Sequence, residues 1–285
     1  MTTVAQLLAQ SQPLLVGSDS PALDIELLLC HCLEKERSYL RAWPDATVPD
    51  LALQQFQTLL QRRIDGEPVA YLMGERGFWS LDLAVNASTL IPRPETELLV
   101  EVALGKVQEK PSATILDLGT GTGAIALSLA AERSDCAITA CDIEAAAVAL
   151  AESNRKKYAL DNVELCQSDW FSALGQQRFD LIVSNPPYID PDDIHLEQGD
   201  VRFEPRSALV AANKGLADIE HIISRAPAYL TEGAWLLFEH GYDQAAAVQS
   251  LLTEAGFTQI FTEQDLAGVD RVTGALGPWR SKTNG

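Results

Sequence analysis

Hydrophobic positions change their spacing twice along this chain. Through residue 74 they recur at helical intervals: Ser20-Pro21 stands where an N-cap and first helical residue belong, ahead of ALDIELLLCHCL, and Leu53, Phe56, Leu60 and Ile64 share one helical face. The spacing predicts a small helical bundle over 1–74. From Gly66 to Pro94 the stretch GEPVAYLMGERGFWSLDLAVNASTLIPRP alternates and is broken by turn residues, which predicts a β-hairpin linker over 75–95. After that, ATILDL, AITACD, NVELCQ, FDLIV, AWLLFE, FTQIFT and RVTGAL read as strands, about seven in all. Amphipathic or alanine-rich stretches separate most of them, AIALSLAAE, AAAVALAESNRKK, ADIEHIISRAPAYL and DQAAAVQSLLTEAG among them. Strand and helix in alternation predict an α/β, doubly wound, Rossmann-like sheet over 96–285, with helices on both faces.

Composition allows this architecture and narrows the setting. With 285 residues, 47% of them hydrophobic, the chain can bury a sizeable core beside a small companion domain. No apolar run approaches the roughly 18 residues of a membrane span, and MTTVAQLLAQ lacks a basic leader, so a cytoplasmic protein is expected. Five cysteines (Cys30, Cys32, Cys136, Cys141, Cys166) form an odd set without a CxxC pair, which fits reduced thiols. Cys30-His31-Cys32 would diverge in direction on a helix, and no metal site is expected.

Charge says more about partners. The formal net charge is −19; residues 1–75 carry five basic and ten acidic side chains, or −5, which leaves −14 for the remainder. Neither part offers the Lys/Arg surface that gripping nucleic-acid phosphates requires. The densest basic cluster, Arg155-Lys156-Lys157, ends a predicted helix, where it complements the helix dipole. No direct DNA binding is expected.

Candidate chemistry begins at DLGTGTG, Asp117 to Gly123, between a predicted strand and a predicted helix. Its glycines let the backbone turn tightly and approach a ligand with no Cβ in the way. Asp142, at the end of the next strand, stands where an acidic residue holds ribose hydroxyls in such folds. Asp169-Trp170, after the third strand, offers a carboxylate and an indole to an adenine. Gly119, Gly121 and Ala124 also satisfy the dinucleotide pattern, so nicotinamide dinucleotide and S-adenosylmethionine (SAM) are both compatible with this loop.

The stretch SNPPYI, Ser184 to Ile189, separates the two. Two prolines stop the strand FDLIV and fix the backbone at the strand's carboxyl end, on the edge that carries the glycine loop. The Asn185 side-chain oxygen and the Pro186 carbonyl can then stand as convergent acceptors for a planar NH2, orienting its nitrogen toward a methyl sulfonium and stabilising the charge that develops. Tyr188 is placed to cover the planar group. Hydride transfer has no use for such an arrangement.

With these residues in place the chain resembles SAM-dependent amino-methyltransferases, including those that methylate adenine. A narrower resemblance is to the HemK family, the glutamine methyltransferases of peptide chain release factors. It rests on IPRPETE (Ile91 to Glu97), GERGFW (Gly74 to Trp79), DVRFEPRSAL (Asp200 to Leu209) and the N-terminal SPALDIELLL, and it extends over nearly the whole chain. The resemblance implies a SAM-dependent methyltransferase sheet and methyl transfer from SAM, leaving S-adenosylhomocysteine. The acceptor would be the side-chain amide nitrogen (N5) of the GGQ glutamine in class I release factors, a modification that modulates translation termination. It implies that Gly119, Thr120, Gly121, Thr122 and Gly123 line SAM, that Asp142 holds its ribose and that Trp170 flanks its adenine. Asn185 would face both cofactor and substrate, Asn185 and Pro186 would hold the glutamine amide, and Pro187 and Tyr188 would shape the pocket. Arg93 and Glu97 would contact substrate, the helical N-terminal domain would grip the release factor, and the protein is expected to be a monomer.

The remaining polar candidates carry less. His31, His195, His221 and His240 are scattered with no partner spacing that makes a triad. Glu239-His240 reads as a strand-end surface pair and Asp190-Pro191-Asp192-Asp193 as a solvated loop. Two rival readings stand beside the main one: a nucleic-acid amino-methyltransferase whose elbow holds a flipped adenine, and a SAM-binding protein without catalysis.

Overall fold

Thr3 opens the first helix by a reciprocal cap. In the computed structural model, which describes residues 1–278 apart from the side chain of His195, the Thr3 hydroxyl accepts the Gln6 amide at 3.3 Å and Gln6 Oε1 accepts the Thr3 amide at 3.1 Å. This starts α1 (Val4–Ser11), followed by α2 (Pro21–Leu33), α3 (Arg37–Ala42), α4 (Asp50–Ile64) and α5 (Val69–Met73). Pro21 does occupy the first position of α2, yet the Ser20 hydroxyl donates to Asp24 at 3.2 Å, joined by Ser18 at 2.8 Å, instead of capping the backbone. Ile25, Leu28 and Leu29 of α2 bury fully against Phe56 of α4. The stripe that α4 buries runs Ala52, Phe56, Leu60, an i, i+4 ridge; Ile64, assigned to the apolar face from spacing, is 40% exposed.

The helices form one of two units, Met1–Glu75 together with Ile194–Phe203; the other is Arg76–Asp193 with Glu204–Gly285. Arg63 joins the distant segment to the helices. Its side chain is only 9% exposed, its Nε donates to Asp24 at 2.8 Å and its Nη1 to Asp200 at 2.8 Å. Arg202 adds a second tie, its Nη2 donating to the Asp65 carbonyl at 3.3 Å, and such long-range contacts have no periodicity, so nothing in the sequence pattern of 96–285 distinguishes this segment. Residues 279–285, which end that stretch, lie outside the described residues.

The second unit is built on a seven-stranded sheet. Its elements are β1 (Glu75–Phe78), β2 (Leu81–Ala84), α6 (Glu97–Val107), β3 (Thr114–Leu118), α7 (Ala124–Glu132), β4 (Ala137–Asp142), α8 (Ala145–Lys157), β5 (Val163–Gln167) and β6 (Phe179–Ser184). After these come the single turn α9 (Ala212–Gly215), α10 (Ala217–Arg225), β7 (Leu230–Glu239), α11 (Ala245–Glu254), β8 (Thr258–Gln264) and β9 (Asp270–Leu276). The strand order is β5-β4-β3-β6-β7-β9-β8. From β5 to β7 all neighbours are parallel, and β9 runs antiparallel to both β7 and β8. Strands buried on both faces read as continuous apolar runs, which is why Leu116, Ile182 and Leu236 are fully buried. On one face α6 and α7 cover Ile115, Leu181 and Val183; on the other, α10 and α11 cover Leu116, Ile182 and Phe238.

The hairpin of β1 and β2 is more than a connection. Phe78, Leu81 and Leu83 enter the first of these core faces, and Asn154, fully buried on α8, pins β2 from both sides. Asn154 Oδ1 accepts the Ala84 amide at 2.8 Å, while its Nδ2 donates to the Ala84 carbonyl at 3.1 Å and to the Thr122 carbonyl at 2.9 Å. One amide side chain thus fastens the hairpin to the glycine loop. Asn154→Ala removes three hydrogen bonds, one of them buried, and leaves their backbone partners unpaired, and it is expected to lower the thermal midpoint by about 5 °C or more; a shift below about 1 °C in a thermal melt would contradict this role.

Candidate functional site

Connections from β3 lead first to β4 and β5 on one side and then return to β6 on the other, so the sheet reverses its order between β3 and β6. Ligands of open α/β sheets collect in the crevice beyond the strand ends at such a point. A cavity of about 430 Å³ lies there, lined among others by Gly119, Thr120, Gly121, Thr122, Asp142, Trp170, Asn185 and Pro187.

The glycine loop is held from β4. The amides of Gly119 and Thr120 both donate to the Cys141 carbonyl at 2.9 Å. Asp142 Oδ2 accepts the Gly121 amide at 2.9 Å and Oδ1 accepts the Glu144 amide at 3.0 Å. Each carboxylate oxygen keeps a further lone-pair position for a hydroxyl donor. Gly119, Gly121 and Gly123 have φ of +75°, +56° and +85°, a region other residues enter only at a cost. A Cβ on Gly119 would stand 3.6 Å from the Trp170 ring, and one on Gly121 3.9 Å from Thr89. The glycines therefore keep open the space between the loop and those side chains. Beneath the loop, the Thr120 hydroxyl donates to Asp117 at 2.7 Å. Burial pushes the Asp117 carboxyl up to about 7, helped by the nearby Asp142 charge and opposed by the bonds from Thr120 and the Ala126 amide.

At the end of β6 the Ser184 hydroxyl donates to the Leu118 carbonyl at 2.8 Å, tying the two switch-point strands together. The elbow beyond it is clamped on its backbone. Gln244 Nε2 donates to the Tyr188 carbonyl at 3.0 Å, and Ile189 bridges to Leu209 and Ala211 at 2.9 and 3.1 Å. Gly215 passes so close that a Cβ there would fall 1.9 Å from the Tyr188 carbonyl oxygen. The Asn185 amide is held too, its Nδ2 donating to Thr96 Oγ1 at 3.2 Å. Among the described residues, neither Asn185 Oδ1 nor the Pro186 carbonyl receives a hydrogen bond. The result is a clamped elbow that sets Asn185 in the cavity wall and leaves two oxygens without a donor among the described residues.

Several residues stand elsewhere than the sequence suggests. Glu97 does not line the cavity; its Oε1 accepts the Trp79 amide at 2.8 Å, which makes it a brace for the hairpin. Arg93 does line the cavity, but its guanidinium is paired with the buried Glu204, whose other oxygen accepts the Ile91 amide at 3.0 Å. Pro186 and Tyr188 adjoin the cavity wall without forming it, and the Tyr188 hydroxyl turns to Glu239 Oε1 at 3.3 Å. Glu239 and His240, read as a surface pair, are both buried. His240 Nδ1 donates to the Gly241 carbonyl at 2.9 Å and Nε2 accepts from Thr273 at 2.8 Å, a neutral ring whose pKa burial lowers. Burial pushes Glu239 up to about 7, against the lowering influence of Thr96, Tyr188 and Arg271.

Residues that pattern reading did not assign to the site also line the wall, Thr89, Ile143 and Asp218 among them. Asp218 lies far from the motifs in sequence, and its carboxyl is raised chiefly by burial, with Asp169 adding to it. The lining carries four carboxylates (Asp142, Glu144, Asp169, Asp218) and one guanidinium, Arg93, itself neutralised. A dinucleotide would bring two negative phosphates to this wall. SAM, with its sulfonium, fits it, and the glycine gap, the open Asp142 lone pairs and the Trp170 face suit its ribose and adenine.

Asp142→Ala removes a charge-assisted acceptor and frees the Gly121 amide; SAM affinity is expected to fall by about tenfold or more in calorimetry, and unchanged affinity would contradict the role.

Comparison with known proteins agrees with this geometry. Residues 94–201 match the methyltransferase small domain family and residues 6–74 the PrmC N-terminal domain family. The chain is 55% identical to the release factor glutamine methyltransferase of Vibrio cholerae, over 93% of this chain and 92% of that one. It is likewise 55% identical to the protein of the same name from Pseudomonas aeruginosa, over 98% and 99%. A methyltransferase structure from Pyrococcus furiosus shares the fold with a TM-score of 0.53 at 15% identity, covering 78% of this chain and 100% of that one. By its sequence along nearly its full length, the chain belongs to the release factor glutamine methyltransferase family.

Proposed function

We propose that this protein transfers the methyl group of SAM to the side-chain amide nitrogen of the glutamine in the GGQ motif of class I peptide chain release factors. The product is S-adenosylhomocysteine, and the modification modulates translation termination in the cytoplasm. The observation that carries the reading is a backbone-clamped elbow that sets Asn185 in the cavity wall, where neither Asn185 Oδ1 nor the adjoining Pro186 carbonyl receives a hydrogen bond among the described residues. Bound in that cavity, SAM supplies an electrophilic methyl group on a positively charged sulfur.

The protein's own contribution is orientation and electrostatics. An amide nitrogen is a poor nucleophile because its lone pair is delocalised into the carbonyl. Asn185 Oδ1 and the Pro186 carbonyl accept its two N–H hydrogens, which fixes the nitrogen and places two negative oxygen ends against the charge that grows on it. Because Gln244 and the Ile189 bridge already hold the backbone, these dipoles need no reorganisation during the reaction. The excess proton on the methylated nitrogen leaves to water, so no side-chain base is required. The helical N-terminal unit serves to grip the release factor, and the protein acts as a monomer. A nucleic-acid substrate would place an adenine NH2 between the same oxygens, but a net charge of −19 repels a phosphate backbone.

Transfer of labelled methyl groups from SAM tests the substrate. Label is expected on an intact release factor and absent from its Gln→Ala variant at the GGQ motif and from DNA; label on DNA would overturn the reading. Asn185→Ala is expected to lower turnover about 100-fold while leaving SAM affinity within about threefold; wild-type turnover in that variant would remove Asn185 from the reaction.

A further inference from the structure

One buried side chain ties three turns of the sheet's carboxyl edge together. Gln244, 8% exposed, donates from Nε2 to the Tyr188 carbonyl of the elbow at 3.0 Å and to the Lys214 carbonyl of α9 at 3.1 Å, and its Oε1 accepts the Gly241 amide at 2.8 Å. Both amide hydrogens and the amide oxygen are thus in use. The elbow, the turn α9 and the turn 241–244 are therefore held in one register. Each of the two turns beside the elbow carries a long exposed side chain, Lys214 on one and Tyr242, 70% exposed, on the other.

Lys214 occupies a conformation that lysine rarely enters. Asn213 and Lys214 both have φ of +56°, with ψ of 49° and 38°, and Gly215 follows with φ of +80°. Glycine adopts this region freely and asparagine often, whereas for other residues the Cβ crowds the following carbonyl. Gly215 is required by its approach to the Tyr188 carbonyl, and Asn213 is held by its own Nδ2, which donates to Glu220 Oε1 at 2.6 Å. The bond from Gln244 to the Lys214 carbonyl would form equally well with glycine at that position, so the backbone draws no advantage from lysine. Strain of this kind gathers beside reacting centres, and what lysine adds over glycine is its side chain. Among the described residues, no hydrogen bond or ion pair occupies its ammonium.

We infer that Lys214 and Tyr242 form a docking collar for the polypeptide that flanks the target glutamine, an inference that rests on the glutamine-methylation reading above. A glutamine side chain is short. To set its amide against Asn185 Oδ1 and the Pro186 carbonyl, the chain that carries it passes over the turns bonded to the elbow. Tyr242 offers a ring to apolar or planar groups of that chain, and Lys214 offers three donors to its carbonyl or carboxylate oxygens. Because Gln244 fixes both turns to Tyr188, collar and elbow present one preorganised surface, and the flanking residues dock in register with the entering glutamine. An aromatic ring beside a lysine also suits a nucleic acid, but the net charge of −19 favours a polypeptide.

The test compares wild type, Tyr242→Ala, Lys214→Gly and Lys214→Arg in methyl transfer to a purified release factor, with SAM affinity and thermal midpoint measured in parallel. Wild-type protein must label the GGQ glutamine; failure there refutes the functional reading and not this inference alone. Tyr242→Ala is expected to raise KM for the release factor about tenfold, with kcat and SAM affinity within about twofold. Lys214→Gly relieves the left-handed strain, so its KM is expected to rise about fivefold while its thermal midpoint rises by about 2 °C, and Lys214→Arg is expected to keep KM within about twofold of wild type. KM within twofold of wild type in both Tyr242→Ala and Lys214→Gly overturns the inference. So does a lower thermal midpoint in Lys214→Gly, which would assign the lysine to the fold, or a loss of SAM affinity as large as the rise in KM, which would assign these side chains to the cofactor. Weakened binding of single-stranded RNA by the variants, with KM for the release factor unchanged, overturns it in favour of a nucleic acid.

Discussion

Two prolines in succession leave the end of β6 without backbone donors of its own, and the site depends on what holds that stretch in place. The answer comes from three directions. Ser184 fastens the strand end to β3, Gln244 reaches the Tyr188 carbonyl from the start of α11, and Ile189 forms a short bridge with the 209–211 segment. Gly215 permits this closeness, since any side chain there would collide with the Tyr188 backbone. Because the clamps act through Tyr188 and Ile189, the Pro186 carbonyl and Asn185 Oδ1 receive no donor among the described residues. Rigidity is obtained without using the acceptors, which is the condition for electrostatic preorganisation.

The glycine loop follows the same economy. Asp142 braces the loop through the Gly121 amide and keeps further lone-pair positions, so one carboxylate shapes the cavity and leaves acceptor capacity in its wall. Asn154 fixes the loop from the opposite side through the Thr122 carbonyl and joins it to the hairpin. The acidic lining selects by charge where the glycine pattern alone cannot. A sulfonium compound is drawn to four carboxylates, while a diphosphate is repelled by them.

What the sequence made legible was local. Seven apolar runs, most of them separated by helices, define the sheet, and Gly119 to Thr122, Asp142, Trp170 and Asn185 converge because each lies at the carboxyl end of a parallel strand, whereas Gly123 turns to the packing of Leu127 and Ala151 and does not line the cavity. Contacts that cross the sheet left no pattern to read. Glu97 looked like a substrate contact because it follows Arg93 in one motif, yet the helix it begins turns it to Trp79. Glu239 ends an apolar strand, and strand ends are usually exposed; it is buried because the 310 turn bearing Thr96 and the elbow bearing Tyr188 both close over it. The attachment of Ile194–Phe203 to the helices includes the Arg63–Asp200 pair and the Arg202 bond to the Asp65 carbonyl, each spanning 137 positions, and such pairs have no signature in either neighbourhood.

The central claim is that the two open oxygens of the elbow receive the hydrogens of a glutamine amide. A crystal structure with S-adenosylhomocysteine and a peptide containing the GGQ motif measures this directly. The glutamine nitrogen is expected about 3 Å from both Asn185 Oδ1 and the Pro186 carbonyl oxygen. A glutamine bound with its amide oxygen toward Asn185, or with its nitrogen hydrogen-bonded elsewhere, would contradict it.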